Sequence, residues 1–221
     1  MSLCGLCASV ASVLVVFLLL FASGVAAASP AGGAKLIFKK IFKSSTPEFV
    51  EIAVSDSGDC TYDIRQLDDD PEPLPCAVGR PVVERLFALA GQLNFLRDAN
   101  LDIKKRIANL GQKTLRYERG SEANEATFNY TTNPAAQELT QVFEGLSRQQ
   151  AHLQNLQHRM RFDRLGVNDV LLGIEADLGR KILPEPERLL PALEAVVAET
   201  RIVDLARQRA RSLADRIRAG K

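Results

Sequence analysis

The chain has 221 residues, 46% of them hydrophobic, with 28 Lys and Arg against 27 Asp and Glu for a net charge of +1. That length admits one or two domains. The near-neutral balance, with a longest basic run of only Lys104-Lys105-Arg106, gives no ground to expect a nucleic-acid partner.

The charge is unevenly spread. Residues 35–43 carry four lysines and no acid, residues 44–179 carry 14 basic and 21 acidic side chains, and residues 180–221 carry 10 basic and 6 acidic. Two basic ends flank an acidic middle. Solvated helix faces account for this, as does contact of the ends with an anionic membrane surface.

The first 34 residues hold no charged side chain. An apolar core at 10–21 and the small residues Val25-Ala26-Ala27-Ala28 predict a signal peptide over 1–28, cut after Ala28. The protein is therefore expected to be exported, to a periplasm or the exterior. Because no Lys or Arg precedes the core and 3–28 is long enough to span a bilayer, an uncleaved membrane anchor is the alternative. Cys4 and Cys7 spell C-x-x-C inside this segment and are given no redox or metal role.

Residues 29–47 form a basic lead. Within it KLIFKKIFK alternates only in part, which fits an edge strand guarded by lysines or a basic amphipathic arm. Residues 48–148 are expected to form an α+β domain. Val50, Ile52 and Val54 share one face of a strand, and Cys60, Tyr62 and Ile64 share one face of a second. The turn Asp56-Ser57-Gly58-Asp59 joins them as a hairpin. The acidic loop LDDDPEPLP follows; its carboxylates lack the alternating ligands and glycine of a calcium loop, so no metal or other cofactor is expected. Outside the export segment only Cys60 and Cys76 remain. They are a possible disulfide in an oxidising compartment; the alternative is a buried Cys60 and a surface thiol at Cys76.

A helix is predicted over 81–96, with Val82, Leu86, Leu89, Ala90 and Leu93 facing inward. Residues 98–111 read as a short helical turn or a loop. A second hairpin is predicted from strands at 113–118 and 125–131, inward through Leu115, Tyr117, Ala126, Phe128 and Tyr130. Asn129-Tyr130-Thr131 is a glycosylation sequon. The fold predicted for this domain is a four-stranded, mostly antiparallel sheet in ββαββα order, covered by helices on one face.

A long helix is predicted from Pro134 to about Leu165, opened by Asn133 as N-cap with Pro134 at the first position. Leu139, Val142, Phe143 and Leu146 form a wide stripe suited to a sheet, whereas Leu153, Leu156 and Met160 form a narrow seam suited to one helix. Residues 149–221 are accordingly a coiled-coil-like helical tail. After a bend near Gly166 a helix runs to about Leu183, and a last helix at 187–219 carries Val203, Ala210, Leu213 and Ile217 on its stripe. An antiparallel helical hairpin joins this stripe to the seam of Leu153, Leu156 and Met160, or the seam self-associates or takes a protein partner.

No H-E-x-x-H, G-x-S-x-G, P-loop or dinucleotide fingerprint occurs. His152 and His158 point to different sides of one helix and cannot share an ion from it. The expected function is an exported, non-catalytic binding or structural protein, acting on another protein or the cell envelope through its helical tail. The alternatives are a secreted enzyme or enzyme inhibitor with its site on the sheet's open face, at Thr61, Asp63, Arg65, Thr114 and Arg116, and a peripheral binder of anionic membrane through the basic ends.

Overall fold

Alternation of apolar and polar side chains builds six strands, not four. The computed structural model describes residues 33–103 and 107–220. The export segment or anchor at 1–28, with Cys4 and Cys7, and the basic run at 104–106 lie outside the described residues. The strands are β1 (Lys35–Ile41), β2 (Phe49–Ser55), β3 (Asp59–Arg65), β4 (Leu74–Ala77), β5 (Gln112–Arg119) and β6 (Glu122–Phe128). They form one antiparallel sheet in the spatial order β4-β3-β2-β1-β5-β6.

Two strands correct the sequence-based order. β1 is neither an edge strand nor a surface arm; it pairs with β2 on one side and β5 on the other, and so unites the two hairpins. Leu36 and Phe38 point inward and are fully buried, while Lys35 and Lys39 share the opposite face. Lysine-rich composition hid a strand whose inward positions Leu36 and Phe38 are apolar and buried. β4 is the other addition. Its Pro75 cannot donate to a ladder, which is tolerated on an edge strand. Cys76 lies opposite Cys60, and the two are joined as a disulfide with a Cα–Cα distance of 4.8 Å. That bond is compatible with an exported protein. β6 ends at Phe128, so Tyr130 lies beyond it and is exposed. The Asn129 side chain holds the preceding loop instead, accepting from Leu110 N at 2.7 Å and donating from Nδ2 to Ala108 O at 2.9 Å.

Two helices cover one face of the sheet. α1 (Arg80–Gln92) buries Val83, Leu86, Leu89 and Ala90. α2 (Pro134–Phe162) has 29 residues, about 43 Å at about 1.5 Å per residue. Asn133 Oδ1 caps it by accepting from Ala136 N at 3.2 Å. Its near half buries Leu139, Val142, Phe143 and Leu146 against the sheet, with the Phe143 and Phe38 rings stacked 5.5 Å apart.

The far half of α2 belongs to a second apolar cluster with α3 (Val167–Gly179), α4 (Leu190–Ala198) and α5 (Asp204–Arg218). The expected continuous last helix is broken. Glu199 adopts an extended backbone, and Ile202 turns into the core between α4 and α5. Val203 stands at the break and is 44% exposed, so it leaves the stripe to which it was assigned. The expected partner of the long helix changes as well. α3 and α4 pack on α2, and α5 packs mainly on α4 and α3. Four helices share the apolar surface because an α4–α5 turn lets both short helices bury a stripe, which one straight helix could do only along a single line.

Gly145 lies where the chain leaving α3 crosses α2. A Cβ there would come 2.3 Å from the Ile182 carbonyl oxygen and 2.9 Å from Pro184 Cδ. From Gly32 onward the chain is one compact unit.

Two stability measurements follow from this packing. Gly145→Ala is expected to destabilise by about 1–3 kcal/mol in urea unfolding, although alanine favours a helix by about 1 kcal/mol, because the crossing must open. Cys60→Ser/Cys76→Ser is expected to cost about 3 kcal/mol, the size set by a loop of some 15 residues, and adding reductant to the native chain should reproduce the loss.

Candidate functional site

Two concavities and one apolar end carry the polar and exposed groups that packing leaves over. The first is a cleft of about 570 Å³ between the end of the sheet and the helices. Lys40, the turn at 42–48 and Arg65 form its sheet wall; Glu144, Arg148 and His152 of α2 and Asp177 of α3 form its helical wall. Lys40 projects inward at the end of β1 and pairs with Glu144 at 2.7 Å. Asp177 is buried, and its carboxylate lies 2.9 Å from His152 Nε2, 3.7 Å from Arg148 and 3.8 Å from Arg180. The imidazole hydrogen-bonds the carboxylate, and the two arginines offset a charge that would be costly alone. Gly173 makes room for the imidazole, since a Cβ there would meet His152 Cε1 at 3.2 Å.

The cleft's two serine hydroxyls are committed to backbone carbonyls. Ser147 Oγ donates to Glu144 O at 2.8 Å, and Ser45 Oγ donates to Phe42 O at 2.6 Å. The His152–Asp177 pair ties α2 to α3, and among the described residues no hydroxyl hydrogen-bonds to it. Nearby, Lys113 is buried with Nζ donating to the carbonyls of Leu110, Gly111 and Asn129; burial, then the charge of Lys40, lowers its pKa.

The uncovered sheet face carries Thr61, Asp63 and Arg65 on β3 and Thr114 and Arg116 on β5, two groups that the sheet keeps apart by the width of β2 and β1. Asp63 and Arg65 pair at 3.0 Å, with the guanidinium 4.3 Å from the centre of the Phe49 ring. Thr114 and Thr127 share a hydrogen bond at 3.0 Å, and Arg116 pairs with Glu118 at 2.7 Å. At the C-terminal basic end Arg209 and Arg216 pair with Glu175 and Arg218 with Glu194, whereas among the four lysines of residues 35–43 only Lys40 pairs, with Glu144.

The second concavity is a groove of about 750 Å³ between α2 and α4. Leu153, Met160 and Ala192, partly buried, supply apolar lining, flanked by Pro191 and Ala195. Arg161, Arg164, Arg188 and Arg201 line it as well, with Glu199 as the one acid. Arg188 is held by Glu185 at 3.0 Å and Arg201 by Glu199 at 2.7 Å. Among the described residues Arg161 and Arg164 form no ion pair, and Arg164 Nε is buried without an acceptor.

The apolar end lies farthest from the sheet. The α3–α4 connection abuts α1, with Glu185 Oε1 accepting from Gly79 N at 2.6 Å, so the α2–α3 and α4–α5 turns share the opposite end. Arg209 of α5 bonding Asn168 of α3 at 2.9 Å agrees with that direction. Phe162 and Leu165 at the first turn are 75% and 78% exposed, and Val203 and Leu205 at the second are 44% and 60% exposed.

Of the seam residues read from sequence, Leu156, Ala210, Leu213 and Ile217 are buried within the chain's own helical cluster, whereas Leu153 and Met160 remain at the groove. Asp177 and Glu185 were missed. A carboxylate three residues after Ile174, on the buried stripe of α3, was the available signal for Asp177; nothing in the sequence singles out Glu185. Among the described residues no group of three or more His, Cys, Asp or Glu is placed to hold a metal ion, and no helix is long and apolar enough to cross a membrane.

These features define an α+β protein with a helical module and two polar concavities. The chain matches no protein-family model and no curated protein.

Glu199 offers a direct check on the groove. The Arg201 side chain and then the Arg201 backbone N–H hold its carboxyl down at about 2, against an ordinary 4.5. A depressed carboxyl stabilises above the ordinary value and loses that contribution as pH falls through about 2. In a carbon-detected NMR titration Glu199 is expected to titrate near the lower value, and in Arg201→Gln to move back toward the ordinary one.

Proposed function

We propose that this protein is an exported, non-catalytic binding protein whose helical module engages another protein. The observation that supports this reading is the exposed apolar group of Phe162, Leu165, Val203 and Leu205 at the end of the module remote from the sheet. Exposed large apolar side chains are ordinary when single; gathered on two adjoining turns they favour a docking surface. The sheet and its two covering helices then serve as the platform that holds the module out. The Asp63–Arg65 and Arg116–Glu118 pairs on the open sheet face and the committed serine hydroxyls of the cleft fit a binding role better than a catalytic one.

Photo-crosslinking in cells expressing the full chain tests this reading. A benzophenone side chain at position 162 or 205 is expected to give adducts with another protein, and one at position 61 on the sheet face is not. Phe162→Asp/Leu165→Asp should abolish the adducts made from position 205. Adducts absent at both turns, or equally abundant at position 61, would reject the reading.

A further inference from the structure

We propose that the groove between α2 and α4 receives an amphipathic helix with acidic flanks, presented by the protein partner; this rests on the helical module being the binding element. The groove holds the part of the α2 seam that the chain leaves open. Leu156 is consumed by the internal core, while Leu153 and Met160, one turn to either side of it, are only partly covered. From Leu153 to Arg161 the α2 wall extends for about 12 Å at about 1.5 Å per residue, a little over two turns of a helix, and Arg164 follows in the turn after it. Its apolar lining would take side chains from one face of an incoming helix at three-four spacing.

Both walls of this groove are helical, with their backbone donors and acceptors used internally. An extended peptide would find no free edge to pair with, and a helix brings its backbone already satisfied. The sign of the partner's charge follows from the lining. Four arginines face one glutamate, and the glutamate is occupied by Arg201. Arg161 and Arg164, free of ion pairs among the described residues, flank the apolar floor at its distal end. Arg161 and Arg164 line the groove with guanidinium groups of the kind that carboxylates bind in a fork. The chain's own most acidic stretch, at 67–72, is broken by proline at position 71 and cannot supply a helix of this kind.

The test is selection of a phage-displayed library of 16-residue helix-forming peptides on the full chain, followed by binding measurements on the winners. Enriched peptides are expected to carry Leu, Met or Phe at three-four spacing with Asp or Glu on both flanks. Their affinity should fall with rising salt, and about thirtyfold in Arg161→Glu/Arg164→Glu. Leu153→Asp should weaken them comparably, and circular dichroism identifies any variant that has lost its fold. Should a charge-reversed chain unfold, Arg161→Gln/Arg164→Gln replaces it, with a smaller expected loss. A library that enriches no binder, or winners that lack acids or bind the folded double variant undiminished, would overturn the proposal. So would loss, in the same variant, of co-sedimentation with phosphatidylserine vesicles, which would make lipid the occupant. A dimer by sedimentation that shields Met160 from oxidation would make it a second copy. Crosslinks from position 205 that persist in the double variant would remove the groove and leave the apolar end as the binding surface; loss of crosslinks from every position would remove the wider reading.

Discussion

The carboxylate of Glu185 is the point on which the two halves of the molecule depend. It is buried, accepts from Gly79 N at 2.6 Å at the start of α1, and receives Arg188 Nε at 3.0 Å. Its own backbone N–H donates to the Oε1 of buried Gln149 in α2 at 3.2 Å. α1 has no side-chain cap of its own, so a residue more than a hundred positions later supplies the negative group that its N-terminus favours. A Cβ on Gly79 would fall 2.2 Å from that oxygen, and a Cβ on Gly145 would strike the chain just before it. Two glycines and one carboxylate therefore decide where the chain crosses the long helix. The directions of α4 and α5 follow from that crossing.

α2 then serves two cores in series. Its near half closes the sheet layer, with Phe143 against Phe38, and its far half contributes Leu156 to the helical cluster. The change of stripe along the helix reflects what each half meets. A sheet offers a broad surface, which demands several apolar positions per turn, whereas neighbouring helices meet a narrower line. Between the two stripes lie Gly145 and Gln149, where packing gives way to the crossing chain. The His152–Asp177 pair stands just beyond and ties α2 to α3 on the side facing the cleft.

The most exposed of the large apolar side chains, Phe162, Leu165 and Leu205, lie at the far end. On the open sheet face Asp63 pairs with Arg65, and Arg116 with Glu118 and Glu125. At the distal turns large apolar side chains stand in solvent, and Arg161 and Arg164 near them form no ion pair among the described residues. Such asymmetry costs solubility and gives the fold nothing, which favours a partner over chance. The groove between α2 and α4 adjoins that end and carries the same combination of apolar lining and positive charge.

Local chemistry was legible in the residues alone. Alternation at Val50–Ile52–Val54 and Leu115–Tyr117, the Asn133-Pro134 start of α2, its two stripes and the spacing of Cys60 and Cys76 all express short-range rules that a sequence states directly. The tertiary structure decided what depends on distant partners. Whether β1 lies at an edge or in the centre is set by β5, more than seventy residues away, because only there do Leu36 and Phe38 find cover on both sides. β4 exists because Cys76 is held opposite Cys60 despite its prolines. The break before Val203 follows from Ile202 burying itself in a core that four helices share. The pairing of His152 with Asp177 and of Glu185 with Gly79 joins groups that are unremarkable where they stand in the chain and become specific only when the fold brings them within a hydrogen bond of each other.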